Sequence, residues 1–280
     1  MPVAILVLSA ITCLLFLSLP ALAGDLKIVT RQSFNGRDTS TSTQYLSSAR
    51  SRFQSANGID NVEGHHLADI VHYGDVTNRN FILDLDAHEY TTYETDKRGI
   101  ALTAKSHPAP PRTGGQLDIW IESRDTGERQ ELFGHTARHI ITKERRVPGA
   151  ASCSTASETE IDGWYIDYSV LPVWRRPEHV GTFLVGGDCR DKIEVHKSGV
   201  EPGFAIKSTS TSKYLLPSSH EPVTSVSVLE VIEFSEAPLD PALFEVPPDF
   251  RRVAELTSMN KPKARTAWER FKNWTSEIFR

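Results

Sequence analysis

From residue 25 to about residue 250, strand signals dominate, with apolar and polar side chains alternating with a period of two over short runs. That period predicts strands with one covered and one wetted face. Residues 25–34 and 39–53 are β-branched and polar runs separated by Asn35-Gly36-Arg37-Asp38, and an Asn-Gly step between two such runs predicts a hairpin. Residues 70–73 and 81–85 predict two short strands with Asn78-Arg79-Asn80 between them, and residues 86–89 a helical turn before a strand at 90–93. The clearest alternation, residues 117–144, predicts an unusually long antiparallel hairpin turning at Asp125-Thr126-Gly127-Glu128. Further strands are expected at 164–170, 192–196, 204–210 and 223–235. So many strands separated by turn residues predict a mainly β protein built as an antiparallel meander. Residues 106–115 carry Pro108, Pro110, Pro111, Gly114 and Gly115, which predicts a loop and the candidate internal boundary.

The two ends read differently. Residues 6–19 are almost wholly apolar and are followed by Pro20 and Ala21-Leu22-Ala23. This is the layout of a cleaved signal peptide over residues 1–23, and the run is short for a membrane span. A periplasmic or secreted protein is therefore expected, with a main β domain over residues 24–256 and a tail over 257–280. Cys13 falls inside the signal, which leaves Cys153 and Cys189; an even pair in an exported chain predicts one disulfide. In the tail, Ala267, Trp268, Phe271, Trp274, Ile278 and Phe279 recur at spacings of three and four, an aromatic stripe along one side of an amphipathic helix. The stripe either packs on its own domain or, flanked by Lys263, Arg265, Arg270 and Lys272, touches a membrane surface or a protein partner through residues 263–280.

The net charge of −5 is mild, with acids and bases interspersed. No basic stripe is present, which argues against nucleic acid as a partner. His135 and His139 share a strand face but would stand about 13 Å apart, too far to ligate one metal ion at about 2 Å. His65, His66, Asp69 and His72 form a second cluster without a metal-ligand spacing, and Asp84, Asp86 and Glu89 mimic the start of a calcium loop without its glycine. The serines sit in Ser/Thr-rich runs such as 208–212, with no nucleophile elbow and no glycine-rich phosphate loop. The residues therefore assign no catalytic group, no metal and no cofactor, and a binding protein is expected over an enzyme.

Several blocks carry a family resemblance. Asp125-Thr126-Gly127-Glu128, then residues 133–141, Asp162-Gly163-Trp164-Tyr165, residues 203–207 and Pro241 to Phe250 resemble an exported bacterial family related to the outer-membrane lipoprotein-carrier (LolA/LolB-like) superfamily. The resemblance covers about half the chain, from about Leu117 to Leu256. It implies a strongly curved antiparallel sheet, a half-open barrel with few helices, enclosing an apolar concavity that holds lipid or acyl chains. On that reading Phe81, Trp120, Phe133, Trp164 and Phe204 are the inward aromatic candidates, and the expected partner is a hydrophobic small molecule or lipid. Two alternatives stand beside it: a histidine-dependent metal protein or hydrolase, and an envelope scaffold acting through the C-terminal helix.

Overall fold

The computed structural model describes residues 24–55, 65–97, 112–168, 189–215 and 221–258. Thirteen strands form one sheet. They are β1 (Leu26–Phe34), β2 (Arg37–Leu46), β3 (Arg50–Ser55), β4 (Leu67–Tyr73), β5 (Thr77–Asp84), β6 (Glu89–Asp96), β7 (Arg112–Leu132), β8 (His135–Pro148), β9 (Ser157–Ile166), β10 (Cys189–Gly199), β11 (Phe204–Leu215), β12 (Pro222–Ser235) and β13 (Arg251–Arg252). The order across the sheet is β10-β7-β8-β9-β11-β12-β1-β2-β3-β4-β5-β6-β13. The mainly β expectation holds, and the purely antiparallel one does not. At each edge a strand lies parallel to its neighbour, β10 on β7 and β13 on β6, because these strands return from far along the chain, where no tight turn dictates reversal. The sheet does not close into a barrel, since β10 and β13 are its two edges. A 3-10 turn at Pro241–Phe244 is the one helical element among the described residues. The predicted signal peptide and the predicted helix over 263–280 lie outside the described residues.

The hairpin at Asn35-Gly36 forms where the sequence places it, with φ of 50° and 76°. Positive φ at both central residues gives a turn whose twist matches that of the strands. The long hairpin of β7 and β8 turns elsewhere. Its reversal is Phe133-Gly134, with φ of 53° and 80°, and Asp125-Thr126-Gly127-Glu128 is instead a bulge inside β7, where the register with β8 slips between Asp125 and Arg129. The Asp125 carboxylate holds that bulge. It accepts from Gly127 N at 2.8 Å and from Arg129 Nη1 at 2.9 Å, and the Arg129 and Gly127 contacts hold its pKa down to about 2. Asn78 and Asn80 are strand residues, not a turn. Both are buried in β5 and donate to Thr95 Oγ1 on β6, so an amide pattern that reads as loop is satisfied inside the sheet. The turn before them needs Gly74, where a Cβ would meet Thr77 O at 2.4 Å.

Two apolar clusters order the sheet. Leu26, Ile28 and Leu46 meet Ala137, Ile166, Ile206 and Val231, so the larger core straddles the β12–β1 seam where the two halves of the chain join. Ala68, Ile70 and Leu83 form the smaller core, against which Val246 and Phe250 pack. The closing segment is tied down by Arg52 Nη1 donating to Leu243 O at 2.9 Å and His72 Nε2 donating to Phe244 O at 2.7 Å. Because β7 begins at Arg112, residues 112–115 of the expected loop are strand, and strands from both sides of it share one sheet.

Cys153, in the β8–β9 connection, is bonded to Cys189 at the start of the edge strand β10, with Cα atoms 6.2 Å apart and a sequence separation of 36. Asp191 works beside it. Burial opposes its charge, yet donors from Cys153 N, Ser154 N, Ser152 Oγ and Ser154 Oγ hold its pKa below the ordinary value. A loop of this length is worth roughly 3–4 kcal/mol on the chain-entropy account. Replacing both cysteines with serine is expected to lower the free energy of unfolding in urea by about that amount; an unchanged midpoint would show that β10 is held by its ladder alone.

Candidate functional site

A cavity of about 640 Å³ lies on one face of β10, β7, β8, β9 and β11. Directly opposed residues of neighbouring strands share a face, so the register builds two continuous rungs. One runs His196, Trp120, Arg145, Glu158, Lys213, and the other Ser198, Glu122, Lys143, Glu160, Thr211. The Trp120 ring is 46% exposed and stacks on the His196 ring at 4.0 Å and 17°. His196 Nε2 also faces Asp118 at 3.6 Å and Glu194 at 3.8 Å, with Gln116 Nε2 donating to both carboxylates at 2.7 and 3.3 Å.

The walls are charged but balanced. Glu122, Glu144, Glu158 and Glu160 stand among Lys143, Arg145, Lys197 and Lys213. Lys143 reaches Glu160 at 3.8 Å, whereas Arg145 and Lys213 are held in no ion pair among the described residues. Four charges of each sign leave no net field to steer an ion. What the groove offers is an aromatic platform surrounded by mobile hydrogen-bond donors and acceptors.

The five aromatic residues singled out from sequence do not converge on one pocket. Trp120 lines the main cavity. Phe133 and Trp164 line a smaller one of about 310 Å³ with Leu132, Ile206 and Val231. Phe204 packs on the larger core, its ring 5.9 Å from that of Phe234, and Phe81 packs on the smaller core beside His72. His196, Arg145 and Lys213 were not anticipated. The signal was present as Lys143/Arg145 and Glu158/Glu160, opposite charges at a spacing of two on consecutive strands, but only the register shows that they face each other.

His139 has the outline of a catalytic dyad. Its Nε2 lies 2.9 Å from Asp162 Oδ1 and its Nδ1 3.1 Å from Thr126 Oγ1, and its ring stacks on Trp164 at 5.0 Å. A nucleophile must hand its proton to the base. Here the Thr126 hydroxyl lies within reach of both Nδ1 and the His139 backbone oxygen, at 3.1 and 3.2 Å, and accepts from Glu128 N at 3.2 Å, so it also pins the bulge. His135, whose ring meets those of Tyr168 and Phe234, does not join this group.

On β4, Asp69 lies opposite Phe53 and Ile82 with a buried Oδ1 that has no hydrogen-bond partner. Burial pushes its pKa up to about 6 and also raises those of Tyr73 and Tyr93, with a further push from Asp69 itself.

No protein-family model matches the chain, and no curated protein does either. Nothing in these comparisons links the chain to the lipoprotein-carrier superfamily.

The Asp69 shift gives stability a sign. Between the unfolded value of 3.8 and the folded value of about 6, the folded chain keeps a proton that the unfolded chain has lost, so stability falls as pH rises through that window and levels off above it. The difference corresponds to about 2–3 kcal/mol. Asp69→Asn is expected to flatten urea midpoints across pH 4–6.5 and to raise stability at pH 7; a variant with the parental pH profile would place the titration elsewhere.

Proposed function

We propose that this chain is an exported, non-catalytic binding protein of the cell envelope whose bent sheet holds a neutral amphipathic ligand, an apolar or ring portion lying on Trp120. The single observation that carries the reading is the open 640 Å³ groove in which an exposed indole is surrounded by equal numbers of acidic and basic side chains. Ligand sites of this size pair an aromatic or apolar surface with a few placed polar groups. The charged walls change the ligand expected from sequence: a bare acyl chain leaves Arg145 and Lys213 without partners, whereas a molecule with polar groups beside its apolar face satisfies them.

Two features support a bend in the sheet. The rings of His135 on β8 and Phe234 on β12 lie 5.4 Å apart although β9 and β11 separate their strands, about 14 Å across a flat sheet. Sixteen residue steps join Asp96 at the end of β6 to Arg112 at the start of β7, a reach of at most about 55 Å. Ten strand spacings separate β6 from β7, about 48 Å if flat, and the connection must also climb the length of the sheet because the two strands run in the same direction. A curved sheet brings those ends within reach, as the half-open barrel expectation requires. Export is supported by the cystine, which persists in oxidising compartments, and among the described residues no helix is long and apolar enough to cross a membrane.

Native mass spectrometry of protein purified without detergent is expected to show co-purified ligand of a few hundred daltons. Trp120→Ala and Arg145→Ala should each lose it, or bind it at least tenfold more weakly, while Phe81→Ala, if folded, retains it. Consistently empty protein, together with unchanged Trp fluorescence across panels of fatty acids, lysolipids and oligosaccharides, would count against a ligand in this groove.

A further inference from the structure

Two residue groups that lie far apart in the sequence meet at the far end of the N-terminal half. The antiparallel register of β4 with β5 places Leu67 opposite Asp84, which brings His65, just before β4, against Asp84 and Asp86 at the end of β5. His65 Nδ1 lies 3.0 Å from Asp84 Oδ2 and 3.2 Å from Asp84 Oδ1. One ligand atom each from His65, Asp84 and Asp86 falls within 4.8 Å of the others. A third oxygen joins them from the end of the described chain: Ser258, 5% exposed, puts its hydroxyl beside the Asp84 carboxylate.

The carboxylate is placed by its surroundings before any ligand is considered. Asp84 is fully buried, and its Oδ1 accepts from Asp86 N at 3.1 Å and Ala87 N at 2.9 Å, which fixes the turn into β6. Asp86 is held by His66 N at 2.6 Å. What remains is an unsatisfied pair. Asp84 Oδ2 and Ser258 Oγ are both buried and complete no hydrogen bond of full geometry among the described residues, although the Ser258 hydroxyl lies beside the carboxylate and His65 Nδ1 stands 3.0 Å from Oδ2. Buried polar atoms are almost always satisfied, and one cation held among them would satisfy the carboxylate oxygen, the hydroxyl oxygen and the imidazole nitrogen together.

We propose that His65, Asp84, Asp86 and Ser258 bind one divalent transition-metal ion, zinc in first place, which staples the start of β4, the end of β5 and the C-terminal segment together. Two bonds of about 2.1 Å at the tetrahedral angle separate their donor atoms by about 3.4 Å, near the His65–Asp84 spacings of 3.0 and 3.2 Å. An imidazole nitrogen with carboxylate oxygens suits zinc or manganese better than calcium, which takes six to eight oxygens. The ion's role is structural. Thr257 N donates to Glu89 Oε2 at 3.0 Å beside the site, so the metal completes a tie that the backbone has begun. This site is separate from the groove at Trp120 and stands or falls independently of the ligand proposed there.

The test uses the full mature chain, stripped with a chelator and titrated with zinc chloride by calorimetry, with thermal unfolding followed by circular dichroism. One equivalent of zinc is expected to bind and to raise the melting temperature. His65→Ala and Asp86→Asn, both changes at the rim of the site, are expected to keep the β spectrum and to weaken binding at least tenfold. Asp84→Asn is expected to unfold at lower temperature whether or not metal is present, and so is not used to decide. Absence of stoichiometric zinc and manganese binding, or full binding retained in both rim variants, as would follow if the ion sat at Asp118, Glu194 and His196, overturns the proposal.

Discussion

The antiparallel ladder between β1 and β12 joins two halves of the chain that are otherwise sequential meanders. Lys27 to Phe34 pair with Ser235 to Ser227 across that seam, and the strands concerned are about 200 residues apart in sequence. Its backbone hydrogen bonds are reinforced at the surface by Lys27 with Glu233 at 2.8 Å and Arg31 with Glu230 at 2.6 Å, and beneath it by the larger apolar core. Exposed ion pairs of this kind contribute little by themselves. The buried Leu26, Ile28, Leu46 and Val231 hold the seam, and the closing segment adds a second tie through β13 on β6 and through Val246 and Phe250 on the smaller core.

Away from the two cores the sheet is held by hydroxyls and amides more than by apolar packing. Thr30 with Ser42, Ser123 with Thr142 and Thr159 with Ser212 make cross-strand hydrogen bonds at 2.7–2.9 Å. Such pairs each add a few tenths of a kcal/mol to about 1 kcal/mol. They let a long Ser/Thr-rich sheet persist with a small core, and they leave one face free to carry charges. The groove is a consequence: base and acid alternate along Arg145, Glu158 and Lys213 in one rung and along Glu122, Lys143 and Glu160 in the other.

The polar groups that are not satisfied in this way mark the places of interest. Asp69 is buried without a partner for Oδ1, which is why it holds its proton to about pH 6. Asp84 and Ser258 are buried beside a histidine. Asp69 and Asp84 lie on the neighbouring strands β4 and β5, and Ser258 reaches Asp84 from the end of the described chain.

The period-two alternation and the Asn35-Gly36 step determined the β class and the first hairpin, because local backbone preferences act within a few residues. Two cysteines in a chain with a signal-like start were enough to suggest the bond between Cys153 and Cys189. The turn at Phe133-Gly134 was not legible, since Asp125-Thr126-Gly127-Glu128 offers an equally good turn and only the pairing of β7 with β8 makes it a bulge. Nor could the sequence place β10 outside β7, set Trp120 against His196, or bring His65 to Asp84. Those neighbours are fixed by which strands pair and in what register, a choice made by the burial of Leu26, Ile166 and Ile206 across the whole sheet and not by any stretch of the chain alone.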